Sequence, residues 1–386
     1  MPLPLRHSRN PRHARLRPVL AATATAALVT GLASAPAYAD DKPTAAVSMG
    51  DSYISGESAG DYEPGTDEPG NFCHRSAHAE IKTIGIPVDR RINLACSGAT
   101  TDNVRLGGTP QNGDAPQAER LRTVARNNQV KLVVLSIGGN DVGFADLVLD
   151  CIKAYFLLSP RCQEKWSDKL PKKLAAAQPK IAASLSDIRT VMREEGYADS
   201  DYELVLQSYP SPVTGKNRYT FTKAFEGCPV RNDDARWART SVVSQFSATM
   251  AATARKVDAR FLDMQKAFYG REVCAKGITH SQEWASGITI NVKEILNGLG
   301  QNLVQESLHP NRRGHAQFGN CLTAFYGMGE AAARCIRGAD GNLAPQPTST
   351  AAVLRAKRMG TVPYIHEPAP VASRKRAYAK ETRLNG

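Results

Sequence analysis

The stretch Thr44-Ala45-Ala46-Val47-Ser48-Met49-Gly50-Asp51-Ser52 decides how this chain is read. An apolar, partly β-branched run predicts a strand, and Gly50-Asp51 supplies the chemistry of a turn. Ser52 is thereby delivered to the carboxyl end of a strand, at the bend toward a helix, a position suited to a nucleophile. Glycine permits the tight turn, and a helix starting at the serine aims amide groups and a positive dipole end at any anion formed there. Alone, Gly-Asp-Ser is a weak signal, because the same residues make ordinary turns and helix caps.

Further runs of strand character occur at 88–94, 131–137, 203–208 and 260–264. Helical periodicity fills 77–84, 117–127, 172–195 and 235–257, the last with an apolar face at Val242, Val243, Phe246, Met250 and Ala254. Strands alternating with helices imply parallel pairing through crossovers. The expected fold is therefore a three-layer α/β/α sandwich around a five-stranded parallel sheet. In such sheets ligands bind beyond the carboxyl ends of the strands.

The chain has 386 residues, 42% hydrophobic and 22% charged, which excludes collagen-like, coiled-coil and wholly disordered classes. Its net charge of +12 sits mostly at the ends. Residues 1–39 carry five arginines and no acid, and residues 340–386 carry eight bases against three acids, leaving +2 for the body. A nearly neutral body with 6% aromatic residues does not fit a nucleic-acid-binding domain.

Residues 1–39 have the parts of a secretory signal: an Arg-rich start, an apolar stretch from Val19 to Ala33, and Ala37-Tyr38-Ala39 as the cleavage site. The apolar stretch is short for a membrane anchor, and the missing arginine pair favours the general secretory route. Cleavage is expected after Ala39, releasing a secreted, extracellular protein. A domain then spans 40–337. Residues 338–386, rich in Pro, Ala and basic clusters, are expected to be a mostly disordered tail. The tail could hold an anionic cell wall or membrane surface, or could be merely solvated or trimmed.

All eight cysteines follow the cleavage site, an even count in a chain read as exported, so disulfides are expected. Sequential pairing, Cys73 with Cys96, Cys151 with Cys162, Cys228 with Cys274 and Cys321 with Cys335, closes four local loops. No C-x-x-C pair or His-x-x-x-His accompanies them, so no metal is expected.

Two glycine-containing loops follow the second and third strand candidates: Ala95-Cys96-Ser97-Gly98-Ala99-Thr100-Thr101 and Gly138-Gly139-Asn140-Asp141. Both fall on the sheet edge that carries Ser52. A glycine amide and an asparagine side-chain amide are neutral donors, suited to a developing oxyanion. A serine needs an imidazole to accept its proton at neutral pH. Glu306-Ser307-Leu308-His309-Pro310-Asn311 offers His309, with His74, His78 and His280 as alternatives and His315 expected on the following helix.

Together these blocks resemble the SGNH, or GDSL, hydrolase family, most closely its exported actinobacterial esterases, lipases and phospholipases. The resemblance spans about residues 44–335 and includes Tyr209-Pro210 and Gly270-Arg271-Glu272-Val273-Cys274. It implies Ser52 as nucleophile, His309 as base, and an oxyanion hole made by Ser52, Gly98 and Asn140. It implies a carboxylic ester hydrolase working through an acyl-enzyme without a metal or organic cofactor. The expected partner is an ester substrate, an acyl lipid first, with phospholipase A or carbohydrate acetylesterase activity as alternatives and acyl transfer open. No nucleic-acid partner is expected, and a monomer is.

One departure stands out. The family pattern places an aspartate three residues before the histidine, and this chain has Glu306 there. Either Glu306 orients His309, or a backbone carbonyl near residues 306–307 does so in a Ser-His dyad. Separately, Gly56-Glu57-Ser58-Ala59-Gly60 fits the G-x-S-x-G nucleophile elbow, but too few residues precede Ser58 for the strands and oxyanion loop that elbow requires. A reading of another class is a disulfide-braced, non-catalytic module attached to the cell surface by its basic tail.

Overall fold

The computed structural model describes residues 42–348, apart from 220, 221, 224 and 289–305. The signal-like segment 1–39, with its expected cleavage after Ala39, and the tail beyond residue 348 lie outside the described residues.

The five expected strands form at β1 (Thr44–Gly50), β2 (Arg90–Asn93), β3 (Gln129–Ser136), β4 (Glu203–Gln207) and β5 (Arg260–Asp263), all parallel. β1 lies between β2 and β3, with Val47 opposite Ile92 on one side and Val133 on the other. β1 and β3 are buried along almost their whole length, as strands covered on both faces must be.

The sheet has seven strands rather than five. β6 (Ala332–Arg337) extends it in parallel beside β5, and β7 (Leu343–Pro347) closes the edge antiparallel, giving the order β2-β1-β3-β4-β5-β6-β7. The ordered fold therefore runs past residue 337, and the start of the expected disordered tail is an edge strand. Two prolines disguised it: a proline cannot donate to a ladder, yet an edge strand tolerates one because one side has no ladder to feed.

Helices cover the sheet. α1 (Ser52–Ser55) and α2 (Glu80–Thr83) follow β1; α3 (Thr101–Val104) and α4 (Gln117–Asn127) follow β2. After β3 come α5 (Gly139–Val142), α6 (Phe144–Phe156), α7 (Cys162–Trp166) and α8 (Lys169–Glu194). After β4 come α9 (Asn232–Trp237) and α10 (Val243–Lys256), joined by a π-helical turn at Ala238–Val242; α11 (Arg312–Tyr326) precedes β6. α4, α8 and α10 pack together as one layer, and α2 and α11 as another. The expected helix 235–257 is thus broken by the π turn, and 77–84 shrinks to four residues.

The structure pairs Cys73 with Cys96, Cys151 with Cys162, Cys228 with Cys274 and Cys321 with Cys335. The first ties the loop after α1 to the loop after β2, and the last ties α11 to β6.

Candidate active site

The turn after β1 depends on Gly50. Its φ is +133°, and a Cβ there would lie 1.9 Å from the Ser136 carbonyl oxygen, so β1 and β3 can converge only on a glycine. Gln117 clamps the same residue, accepting from its N–H at 2.7 Å and donating to its carbonyl at 2.8 Å. Asp51 then caps α1, its Oδ1 accepting from the Tyr53 N–H at 3.1 Å, and Ser52 opens the helix.

His309 arrives from the loop before α11. Its Nε2 lies 2.7 Å from Ser52 Oγ and its Nδ1 lies 3.1 Å from the carbonyl oxygen of Ser307. The carbonyl can only accept, which puts the proton on Nδ1 and leaves the Nε2 lone pair facing the serine hydroxyl. Leu308 sits at φ +62°, and its carbonyl accepts from Tyr53 Oη at 2.8 Å. The Tyr53 ring lies 5.0 Å from the imidazole, so the residue after the serine also steadies the histidine loop. Burial pulls the His309 pKa below its ordinary value, against the opposing charge of Glu57 and the Ser307 carbonyl.

Glu306 makes no hydrogen bond to His309 among the described residues. It is exposed, and its Oε1 accepts from Tyr62 Oη at 3.4 Å. The acceptor facing the imidazole is instead the backbone carbonyl of the next residue, Ser307. The other histidines are engaged elsewhere: His78 with Asp61 at 2.6 Å, His280 with Glu283 at 3.1 Å, and His315, buried in α11, with the Glu80 N–H at 3.3 Å. Ser58 Oγ meets Ser286 Oγ and no imidazole, so the elbow-like motif carries no catalytic pair.

Gly98 and Asn140 both reach the cavity beside Ser52. Gly98 has φ +79°, and neither its backbone N–H nor that of Ser52 has a hydrogen-bond partner among the described residues. Asn140 Nδ2 donates one hydrogen to the Ala99 carbonyl at 2.8 Å, which fixes the amide and leaves a second N–H. Asp141 locks the two loops together by accepting from the Thr101 N–H at 2.9 Å and from Thr101 Oγ1 at 2.6 Å. Neutral donors thus converge next to a hydroxyl that is already paired with an imidazole.

Sequence reasoning missed the buried groups beneath these loops. Tyr209 Oη donates to Asp51 Oδ2 and accepts from the Gly139 N–H at 3.3 Å, tying the first block to the third. Burial is the main cause that raises Asp51 to about 7, with the Tyr209 hydrogen bond opposing. Glu57, fully buried, accepts from Ser97 Oγ and faces His74 Nδ1 at 2.7 Å, and so braces the residue before Gly98. Burial pulls His74 down, but the hydrogen bond and charge of Glu57, helped by Asp67, outweigh it and raise its pKa. Glu57 within the elbow-like motif was the available signal: a carboxylate between two small residues belongs inside only if it is partnered.

The cavity measures about 330 Å³. Ser52, His309, Gly98 and Asn140 form its polar end, and Phe144, Leu147, Val148, Pro212, Val230 and Val243 line the apolar remainder. Such a site can hold an uncharged apolar group with its reacting carbon against the hydroxyl.

The model of the GDSL-like lipase/acylhydrolase family matches residues 48–317. A lipase from Streptomyces rimosus is 26% identical over 306 residues, covering 77% of this chain and 94% of that protein. Lipase 1 of Streptomyces coelicolor is 26% identical over 269 residues, covering 68% of this chain and 85% of that protein. The crystal structure of phospholipase A1 from Streptomyces albidoflavus aligns with a TM-score of 0.48 at 21% identity, covering 71% of this chain and 95% of that one. With its family model spanning most of the body and named lipases matching along nearly their whole length, the chain belongs to the GDSL-like lipase/acylhydrolase family and is a carboxylic ester hydrolase.

Proposed function

We propose that the protein is an exported lipid esterase in which Ser52 and His309 act as a dyad. The observation that carries the reading is the 2.7 Å contact between His309 Nε2 and Ser52 Oγ at the polar end of an apolar cavity. As Ser52 Oγ bonds to the ester carbonyl carbon, its proton passes to Nε2. The resulting oxyanion is received by the N–H groups of Ser52 and Gly98 and by the side chain of Asn140. Nε2 then gives its proton to the departing alkoxide, and water repeats the steps on the acyl-enzyme. The Ser307 carbonyl holds the ring and accepts from Nδ1–H, the part a carboxylate plays in a triad.

The cavity wall supports an acyl chain over an acetyl group, which would leave most of that apolar surface uncovered. Export is supported by the signal-like residues 1–39 and by four disulfides, which persist in oxidising compartments. The test is hydrolysis of a p-nitrophenyl ester series of increasing chain length, beside phosphatidylcholine, with Ser52→Ala as control. The reading expects preference for chains longer than acetate and loss of all activity in the variant. Preference for acetate favours the carbohydrate acetylesterase alternative, and release of fatty acid from phosphatidylcholine selects phospholipase A.

A further inference from the structure

Between the cavity-lining half of α6 and the start of α8 the chain breaks several local rules at once. α6 contributes Leu147, Val148 and Cys151 to the cavity, then ends in a tip where Leu157 and Leu158 are 58% and 84% exposed. At 1.5 Å per residue, Leu157 stands roughly 9 Å along the axis beyond Cys151. Leu158 has φ +50°, a conformation that glycine or asparagine adopts more cheaply and a place where solvent favours a polar side chain. The Cys151–Cys162 bridge closes this tip across its base.

The charge around the tip is equally unusual. From residue 157 to 173, Arg161, Lys165, Lys169, Lys172 and Lys173 face only Glu164 and Asp168, an excess larger than that of the whole body. Lys169 and Lys172 are exposed and have no ion-pair partner among the described residues; Lys165 pairs with Asp150 and Arg161 with Asp233. The lysines open α8, where the helix dipole favours acids, and its first turn has none. This end of α8 lies on the carboxyl edge of the sheet, since Ile181 packs at Gly138 beyond β3 and a Cβ on Gly143 would come 3.3 Å from Lys173 Nζ. Exposed leucines just past the end of the helix that walls the cavity, followed at the start of α8 by two lysines without ion-pair partners among the described residues, match a surface with an apolar interior and anionic headgroups.

We propose that residues 157–160 and the lysines opening α8 form the surface by which the enzyme docks on an anionic lipid interface, delivering acyl chains to the cavity behind α6. The proposal deepens the lipid-esterase reading and rests on it. Its test is co-sedimentation of the full chain with vesicles of phosphatidylcholine alone or mixed with phosphatidylglycerol. Leu157→Ser with Leu158→Ser should lower partitioning onto both vesicles by roughly tenfold or more. Lys169→Glu with Lys172→Glu should do so by about tenfold or more on the anionic vesicles only. Both variants should keep wild-type turnover of soluble p-nitrophenyl acetate, which also shows that they fold. Unchanged binding by both pairs, whether the native chain binds through its basic C-terminal residues or not at all, overturns the docking surface and leaves catalysis standing. Acetate turnover that survives Ser52→Ala overturns the catalytic reading instead and leaves the binding result intact.

Discussion

His309 Nδ1 rests 3.1 Å from the carbonyl oxygen of Ser307, two positions upstream in the same loop, and the nearby carboxylate of Glu306 points away. A backbone acceptor cannot be removed by changing a side chain. Glu306→Ala is therefore expected to keep kcat within about threefold of wild type, whereas His309→Ala should lose on the order of a thousandfold or more. Steady-state kinetics on a p-nitrophenyl ester decides it: a Glu306→Ala loss near that of His309→Ala would restore the carboxylate as the orienting group.

In the proposed mechanism the Asn140 amide, held by the Ala99 carbonyl at 2.8 Å, meets charge that exists only as the ester is attacked. Asn140→Ala should cost about 100-fold to 1000-fold in kcat with KM nearly unchanged. A rise in KM at constant kcat would make Asn140 a substrate-binding group instead.

In the proposed dyad His309 must be neutral to accept the serine proton, and the pH dependence of activity follows from it. Burial sets its pKa below the ordinary 6.5, so kcat/KM should hold as pH falls through 6.5 and decline only beneath it. The Glu57 charge opposes that depression, so Glu57→Gln should move the acid limb lower still. An acid limb centred above 6.5, or one that rises in Glu57→Gln, contradicts this assignment.

Glu80 makes a separate prediction about stability. Buried at the start of α2 against His315 of α11, it accepts from Gln207 Nε2 at 2.7 Å, and burial raises its pKa from 4.5 to about 8. Between those values the folded chain holds a proton that the unfolded chain has released, so stability falls as pH rises through the window and levels off above it. Glu80→Gln removes this dependence. Its Tm relative to wild type should climb by several degrees from pH 5 to pH 8, reflecting on the order of a few kcal/mol. A Tm difference independent of pH would mean that the folded pKa is ordinary.

The Cys73–Cys96 bridge closes a loop that also holds the Ser97 N–H against the Cys73 carbonyl at 3.0 Å, next to Gly98. Replacing both cysteines by serine should lower stability by about 2–4 kcal/mol and reduce kcat more than it changes KM. Unaltered kcat in a destabilised variant would limit the bridge to a structural role.

What was legible in the sequence divides along physical lines. β1, β3 and β4 announce themselves because strands covered on both faces need unbroken apolar runs. β6, Ala-Ala-Arg-Cys-Ile-Arg, carries its burial on alternate positions and takes support from the Cys321–Cys335 bridge, so no apolar run marks it. β7 holds prolines that only an edge position allows. α6 and α7 escaped notice as well, since they form an insertion before the long crossover helix α8 rather than part of the alternating pattern. Ser52, Gly98, Asn140 and His309, singled out by their order and their chemistry, line one cavity in the structure. The Ser307 carbonyl could be offered only as an alternative, because backbone acceptors leave no mark on side-chain identity. Tyr209 reaches Asp51 across 158 positions and Glu57 reaches Ser97 across 40, and spacing cannot reveal such contacts.

In the proposed mechanism Ser52 is the group that bonds to the ester carbonyl. Labelling with a fluorophosphonate, followed by peptide mass spectrometry, measures this directly. One adduct is expected, on Ser52, abolished in Ser52→Ala together with ester turnover. An adduct on Ser58 or any other serine, or turnover persisting in Ser52→Ala, would contradict it.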